Sequence, residues 1–330
     1  MYEISPITID ELVSIQENNG NYCSFFITRE WISFLQNDGR GKPIILKIEK
    51  EGRFIAAFVG MSFKKFGFRL LASPFEQWGT CDMGFCCADD VDRATLLPIV
   101  TEYAKKKLHI NYFEIIDKKI SFKQLKEIHC KTITQKTYIL NIDKTNDELF
   151  KGFKTDCRNF IRQFEKRGAS IEKVIPSEEF ANEYYNQLID VFARQNLKPH
   201  CTREQIYHIM QAFSENPKNI LCLQVKNQEG KCIATSIFFG FQRTAYFWGA
   251  ASYREYLHYR PNEYMIWTAI KYWRDYGCKQ LDMVGLREYK KKFGPEYYEY
   301  PRIIITSNPL LIYGRNIARK FIIYYRKVWN

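Results

Sequence analysis

The sequence predicts an α/β protein with two domains, each a mixed central sheet flanked by helices. The chain has 330 residues, which exceeds one typical domain of about 150 residues and is enough for two hydrophobic cores. Hydrophobic residues make up 46% and aromatic residues 16%, so a disordered chain is excluded. Short β-rich runs and amphipathic helical segments follow one another in both halves. We therefore expect one domain at 1–144 and a second at 145–330, the latter ending in an amphipathic helix.

The first half contains strands and helices whose order follows from hydrophobic periodicity. Alternating apolar runs predict strands, and apolar residues three and four apart predict helices. The predicted elements are a strand at Tyr2–Ile4, helices at Ile9–Gln16 and Arg29–Leu35, strands at Ile44–Ile48 and Phe54–Met61, a helix at Val91–Leu108 and a strand at Tyr112–Ile116.

The second half has clearer boundaries, because caps and turn residues mark most of its elements. Thr145 and Glu148 have capping-box spacing and Gly168 is a stop signal, which predicts one helix at about 146–167. The elements that follow are a strand at Ala169–Val174, helices from Ser177 and from Thr202, strands at Ile220–Val225, Ile233–Phe241 and Ala245–Ala250, a helix from Pro261 to Gly277, a strand at Gln280–Val284, a short helix at Arg287–Phe293 and a strand near Ile303.

The order of elements in the second half, β-αα-βββ-α-β-α-β, matches the topology of the GNAT acyl-CoA N-acyltransferases. The first half shows a looser version of the same order. The sequence therefore predicts a duplicated GNAT-like fold, with a degenerate first copy and a catalytic second copy. This expectation depends on element order alone, because the two halves share no repeat at the residue level.

Charge is distributed unevenly between the two halves. Residues 1–150 contain 20 lysines and arginines against 20 acidic residues, whereas residues 151–330 contain 29 against 17. The whole excess of +12 therefore lies in the second half. A basic domain favours an anionic ligand such as coenzyme A, a nucleotide-linked substrate or RNA, although solubility alone also explains such an excess.

The cysteines and the apolar runs give no sign of a metal site, secretion or a membrane span. Ten cysteines are scattered from Cys23 to Cys278 without a CxxC pair, and the five histidines lack ligand spacing, so we expect reduced thiols and no metal. No apolar run reaches the roughly 18 residues of a membrane span, and the start of the chain lacks the pattern of a signal peptide. We expect a cytoplasmic protein with no DNA partner.

Four segments in the second half resemble motifs of one enzyme family. The segment Arg158–Gly168 has the form R-x-x-I-R-x-x-x-K-x-G, and Tyr264–Ile270, Leu281–Gly285 and Tyr289–Gly294 follow it in order. They are similar to segments of the Fem-type aminoacyltransferases, which build peptidoglycan bridges, and of related GNAT acyltransferases associated with polysaccharide biosynthesis. The similarity covers about residues 140–305. The resemblance implies a bacterial N-acyltransferase that acts on a cell-envelope precursor.

The same comparison shows two differences. A glycine-rich pyrophosphate loop precedes the third helix of ordinary acetyl-CoA-binding GNAT proteins, but Arg254–Asn262 occupies that position here and contains no glycine. A helix N-terminus still offers N–H groups for phosphate, so we predict that Arg254, Arg260 and Asn262 bind an acyl-CoA donor. The family motif Tyr-Asp-Phe-Gly is replaced by Leu-Asp-Met-Val-Gly, which has one more residue.

The resemblance also indicates two catalytic candidates. Lys290 matches a Fem-type lysine that lies beside the acyl carbonyl, where a cation stabilises developing negative charge. Lys290 also fits a solvated charge run with Lys291 and Lys292. Asp282, at the end of a predicted strand, could orient or deprotonate the amine, or could simply hydrogen-bond the next turn.

Further side chains are candidates for substrate binding. Arg158 and Arg162 recur four residues apart and form a basic helix stripe suited to phosphates, although a solvated face explains it equally well. Tyr264, Trp267 and Trp248 are candidates for a stacking surface, and hydrophobic core is the alternative for each.

Three functions remain open on this basis. The first is an acyltransferase that moves an acyl group from an acyl thioester to the amine of a sugar or envelope precursor. The second is transfer from aminoacyl-tRNA to a peptidoglycan precursor. The third is a non-catalytic module that binds RNA or a membrane. Near the end of the chain, Leu310, Tyr313 and Ile317 fall at helical spacing with Phe321, Tyr324 and Val328, among basic residues. This pattern predicts peripheral membrane contact, with packing on the protein itself as the alternative.

Overall fold

The computed structural model describes residues 1–17 and 20–317, which form two compact units. Unit 1 comprises residues 1–135 together with the described residues from 299 onward, and unit 2 comprises residues 136–298. The strands are β1 (Tyr2–Pro6), β2 (Asn21–Tyr22), β3 (Lys42–Lys50), β4 (Arg53–Lys65), β5 (Phe68–Ser73), β6 (Gly84–Ala88), β7 (Tyr112–Ile115), β8 (Lys131–Asn141), β9 (Ser170–Val174), β10 (Ile220–Lys226), β11 (Cys232–Phe241), β12 (Thr244–Ser252), β13 (Gln280–Asp282) and β14 (Glu296–Ile305). The labelled helices are α1 (Ile9–Glu17), α2 (Arg29–Asn37), α3 (Leu96–Leu108), α4 (Asn146–Gly152), α5 (Thr155–Lys166), α6 (Glu178–Ala193), α7 (Arg203–Phe213) and α8 (Pro261–Asp275).

Unit 1 has a mixed sheet whose strands lie in the order β1-β3-β4-β5-β7-β14, with β6 paired to β4 and β2 to β6. Its pairs are antiparallel except β5 with β7, which run parallel over four residue pairs. Apolar side chains of these strands and of α3 form one core cluster. The elements therefore follow one another as strand, two helices, meander, helix and parallel strand.

A buried ionic cluster holds the last part of unit 1 together. Glu114 on β7 has no exposed surface and accepts hydrogen bonds from Arg302 on β14, from Arg315 at 2.9 Å and from Tyr112. Arg315 lies in the helical residues 309–317 and also contacts Glu76 at 2.9 Å. The carboxylate of Glu114 thus depends on two arginines from the end of the chain.

Unit 2 repeats the topology of unit 1. Its strands lie in the order β9-β10-β11-β12-β13-β8, antiparallel except for the parallel pair β12 and β13. Helices α6 and α7 connect β9 to β10, and α8 connects β12 to β13, as α1 with α2 and α3 connect the matching strands of unit 1. The duplicated GNAT-like topology of mixed sheets flanked by helices is confirmed.

The sixth strand of each sheet comes from an unexpected place in the chain. β8 follows β7 in sequence, yet its residues 139–141 pair with β13 in unit 2. β14 follows β13, yet its residues 303–305 pair with β7 in unit 1. We call this arrangement the strand exchange. The compact units divide at 135/136 and 298/299, while the domain boundary at 144/145 stays a prediction.

Two sequence expectations are wrong. The helix expected at 146–167 is two helices, because Phe153 and Lys154 are extended and the Arg158 guanidinium binds the carbonyl oxygens of Lys151 (3.1 Å) and Phe153 that end α4. The ten cysteines are not all free thiols, because the sulfur atoms of Cys23 and Cys86 are joined in a disulfide. The Cα atoms of these two residues, which are far apart in sequence, lie 4.4 Å apart.

Candidate functional site

The parallel pair β12 and β13 in unit 2 separates soon after it begins. The two strands pair over Thr244–Tyr246 and Gln280–Asp282, whereas β12 continues to Ser252. From Phe247 onward, β12 therefore has no β13 partner on that edge. Backbone N–H and C=O groups that lack a strand partner are available to a ligand. We call residues 247–252 the open edge of β12.

A β-bulge lies on this open edge. Across the ladder with β11, Gly249 pairs with Ile237 and Phe247 with Phe238, so Trp248 is the additional residue. Trp248, Gly249 and Ala250 are partly exposed, whereas the residues on either side of them in β12 are buried. A bulge redirects side chains and interrupts pairing, and bulges are frequent beside active sites. The bulge and the open edge coincide.

Asp282 organises the turn that follows β13. Its Oδ1 atom accepts hydrogen bonds from Thr137 Oγ1 at 2.6 Å and from the Val284 amide at 2.7 Å. Thr137 Oγ1 in turn accepts the Gly285 amide at 3.1 Å. Val284 and Gly285 have φ angles of 50° and 84°, a left-handed conformation that is strained for valine. The extra residue of the Leu-Asp-Met-Val-Gly motif therefore lies in a turn fixed by the Asp282 carboxylate.

Lys290 binds the same turn. The side chain is buried, and Nζ donates hydrogen bonds to the carbonyl oxygens of Val284 (2.8 Å) and Met283. Nζ also lies 5.2 Å from the ring centroid of Phe247, the first residue of the open edge. The two catalytic candidates, Lys290 and Asp282, are thus brought together around one turn, and Lys290 connects that turn to β12.

The other two lysines of the run differ from each other. Lys291 is exposed and pairs with Glu288 at 2.9 Å. Lys292 is largely buried and forms an ion pair of 2.8 Å with Glu263 on α8, with its Nζ 5.0 Å from the Phe160 ring centroid. Lys291 is therefore a surface side chain, whereas Lys292 is fixed to α8.

The three residues predicted to bind a donor lie between β12 and the first turn of α8. The Arg254 amide donates to Asp190 at 2.9 Å, and Arg260 occupies the N-cap of α8 in a left-handed conformation with its guanidinium 4.4 Å from the Phe160 ring centroid. Asn262 follows Pro261 in the first turn, and no side chain caps this helix. The N-terminus of α8 thus presents N–H groups with two arginines nearby.

Electrostatics favour an ionised carboxylate at Asp190, beside Arg254. Burial by itself would raise the pKa of Asp190, but hydrogen bonds from Arg194 and from the Arg254 amide, with the charges of both arginines, lower this pKa below its ordinary value. Arg194 also donates to the Ser252 carbonyl at 2.6 Å. The end of β12 is therefore fixed to α6.

Four of the five predicted substrate-binding residues contact other elements of unit 2. Trp267 is buried against Phe150 and Phe153, and Tyr264 stacks on Phe164 with ring centroids 4.2 Å apart. Arg162 lies over the Phe150 ring, and Arg158 binds the end of α4. These contacts join α4, α5 and α8, which agrees with the hydrophobic-core alternative for Trp267 and Tyr264. Arg158 and Arg162 contact α4 in addition to forming a basic face. The fifth, Trp248, is the bulged residue itself.

Two residues at the site were not identified from the sequence. Tyr184 on α6 is 1% exposed, and its hydroxyl group lies over Gly249. A Cβ atom on Gly249 would be 2.2 Å from that hydroxyl oxygen, so no other residue fits there without a shift. A glycine within a predicted strand was the available signal, because it indicates a bulge or a close approach.

The helices of the described residues, 1–17 and 20–317, are all too short or too polar to cross a bilayer. Within these residues, histidine, cysteine and acidic side chains do not gather in threes at any place that could bind a metal ion.

Comparison with known proteins agrees with this geometry. Residues 151–298 match the family model described as an acetyltransferase (GNAT) domain. The crystal structure of FemX is similar over 91% of this chain and 96% of that chain, with 15% identity and a TM-score of 0.73. L-PGS from Bacillus licheniformis gives 13% identity and a TM-score of 0.57 over 92% and 93% of the two chains.

A third solved structure concerns the duplication. A tandem GNAT protein from the clavulanic acid biosynthesis pathway has 10% identity and a TM-score of 0.52, over 94% of this chain and 99% of that chain. No curated protein sequence matches the chain. Residues 151–298 therefore match a GNAT acetyltransferase domain, and the chain has the Fem-like fold, a duplicated GNAT-like fold.

Proposed function

We propose that unit 2 transfers an acyl group from an acyl thioester, acyl-CoA, to an amine of a sugar or another cell-envelope precursor. The observation that carries this proposal is the open edge of β12, which lies within the matched family domain and is connected by Lys290 to the turn at Asp282. Such an edge can hydrogen-bond an extended donor and hold its carbonyl group beside the bulge.

Different residues are proposed to bind the two ends of the acyl donor. The N-terminus of α8 favours phosphate groups through its N–H donors and dipole, and Arg254 and Arg260 add positive charge. At the other end, the amine nitrogen forms a bond to the carbonyl carbon and the carbon–sulfur bond breaks. Lys290 adds positive charge at the open edge and holds the turn. Asp282 positions that turn, since its Oδ1 atom accepts two hydrogen bonds there.

Aminoacyl-tRNA is the second candidate donor. Two observations favour it: the whole chain has the fold of FemX, and Arg254–Asn262 has no glycine-rich pyrophosphate loop. The basic second half, with 29 lysines and arginines against 17 acidic residues, also suits a nucleic acid. In this case the bond that breaks joins the aminoacyl carbonyl to a ribose oxygen, and the acceptor is a peptidoglycan precursor. Either reaction would belong in the cytoplasm of a bacterium, where both donors are made.

The end of the chain is proposed to contact a membrane surface, where envelope precursors are assembled. In the helical residues 309–317, Leu310, Tyr313 and Ile317 are exposed, while Leu311 and Ile312 pack on unit 1. The predicted continuation of this face, Phe321, Tyr324 and Val328, lies outside the described residues. An exposed apolar face in a basic segment suits an anionic lipid surface.

A donor screen tests the proposal. The purified full chain is incubated with short-chain acyl-CoAs or aminoacyl-tRNA and with nucleotide-linked amino sugars or peptidoglycan precursors, and amide formation is followed by mass spectrometry. Product with an acyl-CoA supports the first function, and product with aminoacyl-tRNA alone supports the second. Absence of product from every pair, with no donor raising the thermal midpoint, contradicts both.

A further inference from the structure

The hydroxyl group of Tyr184 is a polar group that the fold of unit 2 leaves unused. The side chain is 1% exposed, and its hydroxyl makes no hydrogen bond with any of the residues 1–17 and 20–317. Two other tyrosines differ, since the hydroxyl of the buried Tyr112 binds Glu114 and that of the partly buried Tyr276 binds Asn219 at 3.0 Å. Packing alone does not require this hydroxyl, since phenylalanine would fill the same core position.

This hydroxyl is aimed at the open edge of β12. Its oxygen occupies the space above Gly249, only 2.2 Å from where a Cβ atom would be. Gly249 follows the bulged residue Trp248 and belongs to the partly exposed stretch 248–250. The hydroxyl and the unpaired strand edge therefore meet at one residue.

The local environment keeps the phenol in its protonated form. Burial raises the pKa of Tyr184 well above its ordinary value, and the neighbouring Cys201 and Tyr289 act in the same direction. A neutral phenol can donate one hydrogen bond to a ligand at neutral and moderately alkaline pH. The position of the Tyr184 hydroxyl therefore requires glycine at position 249, and the protonated phenol is a hydrogen-bond donor at that place.

We infer that Tyr184 is a catalytic residue whose hydroxyl donates a hydrogen bond to the carbonyl oxygen of the acyl donor bound at Gly249. This inference rests on acyl transfer at the open edge, as proposed above. When the amine nitrogen bonds to the carbonyl carbon, the electron pair of the C=O bond moves to oxygen. The Tyr184 hydroxyl stabilises that negative charge and keeps its own proton. The C=O bond then re-forms, the carbon–sulfur bond breaks, and the amine gives up one proton while the thiolate takes one.

The substitution Tyr184→Phe removes only this hydroxyl group. Loss of one oxyanion donor lowers kcat by about 10² to 10³, and we expect a fall of about 10² here. KM should change less than about threefold, because the bond strengthens only as charge develops on oxygen. The thermal midpoint should change little, since removal of this hydroxyl breaks no hydrogen bond within the described residues. The assay uses whichever donor the wild-type chain accepts.

A matched control is Tyr276→Phe, which removes a hydroxyl of unit 2 that does have a partner. We expect this variant to retain its kcat and to lose some thermal stability. A Tyr184→Phe enzyme with kcat within a factor of two of wild type overturns the inference while leaving the acyltransferase proposal standing. A fall in kcat that comes with a fall in thermal midpoint, or that Tyr276→Phe shares, marks a structural role and also overturns it. A wild-type chain inactive with every donor overturns the proposed function and this inference together.

Discussion

At Gly249 even a methyl side chain is too large. A Cβ atom there would be 2.2 Å from the Tyr184 hydroxyl oxygen but 3.4 Å from the nearest ring carbon, which is an ordinary contact distance. We predict that Gly249→Ala lowers the free energy of unfolding by about 1 to 3 kcal/mol, as overpacking does. Adding Tyr184→Phe should recover most of that loss, because the clash involves only the hydroxyl. Chemical denaturation of the single and double variants measures the coupling.

The control for this pair is Gly152→Ala. Gly152 has open space around its Cβ position and no positive φ angle, so the change should stay within about 0.5 kcal/mol. If Tyr184→Phe does not improve the stability of Gly249→Ala, the hydroxyl is not the group that makes glycine necessary.

Lys290 is expected to affect both stability and rate. Its Nζ donates to the carbonyl oxygens of Met283 and Val284, so Lys290→Met, which preserves volume, should cost about 1 to 3 kcal/mol of stability. A lysine in a solvated charge run would cost little stability to remove, but the Lys290 side chain is buried. The kcat should fall at least about tenfold, because both the local charge and the turn are altered. The measurements are denaturation and initial rates.

Lys291→Met is the matched control, because Lys291 is exposed and forms a surface ion pair with Glu288. We expect nearly wild-type stability and kcat for it. Equal effects of the two substitutions would mean that the lysine run acts as a diffuse electrostatic patch.

At the scale of elements, the sequence predicted helix starts well and helix interruptions poorly. Thr145 and Thr202 form the capping boxes that their spacing predicts, since a cap depends on residues three apart. The interruption at Phe153 was missed, because it depends on the Arg158 guanidinium turning back to the end of α4. Strands β5 and β6 were missed too, although β5 forms half of the parallel pair in unit 1.

The helical residues 309–317 allow a test of membrane contact that preserves the fold. Ending the chain at Asn308 would remove Arg315, which Glu114 needs, so substitution is the better experiment. We predict that changing Leu310, Tyr313 and Ile317 together to serine lowers binding to anionic vesicles at least about tenfold, because their apolar surface is exposed. Vesicle co-sedimentation measures the change.

Phe66→Ser provides the comparison for that experiment, because Phe66 is 88% exposed in the turn between β4 and β5. It should leave vesicle binding unaltered. Equal binding of the triple variant and the wild-type chain would show that this helical face does not touch lipid.

For the molecule as a whole, buried thiols predict sensitivity to alkali. Burial raises the pKa of Cys87 to about 11 and that of Cys278 to about 12, and it also raises that of Cys222. In the unfolded chain a thiol titrates near pH 8.5, so above about pH 9 the unfolded state binds fewer protons than the folded state. Stability that is present below pH 8.5 is therefore lost as the pH rises, by at most roughly 1.4 kcal/mol per pH unit for each thiol.

Guanidinium unfolding between pH 8 and pH 10.5, followed through the unfolding transition of unit 2, measures this slope. Cys278→Ala removes one titrating thiol. The free energy of unfolding should therefore fall less steeply with pH, by an amount that corresponds to about one proton, even if the substitution also changes stability by a constant amount. A free energy of unfolding that is flat over this range contradicts the prediction.

The duplicated fold could be predicted from sequence because each unit repeats one order of elements, and that order is visible in local periodicity. The strand exchange could not be predicted, since the partners of β8 and β14 are decided by tertiary pairing. The candidate site could be predicted only in part, because some of its residues also come together only through tertiary contacts. Lys290 and Asp282 are close in sequence and belong to a recognisable motif, whereas Tyr184 and Gly249 come from different elements and meet only in the folded unit.

The strand exchange has a consequence for the order of events at the ribosome. Residues 1–135 emerge first, but Glu114 then still lacks Arg302 and Arg315, its two cationic partners in the finished unit. A carboxylate buried without a cation is strongly unfavourable, so unit 1 cannot close around it at that stage. Among the described residues, unit 2 comprises 136–298, all of which leave the ribosome before Arg302 does. The half of the protein that is translated first is therefore the half that finishes folding last.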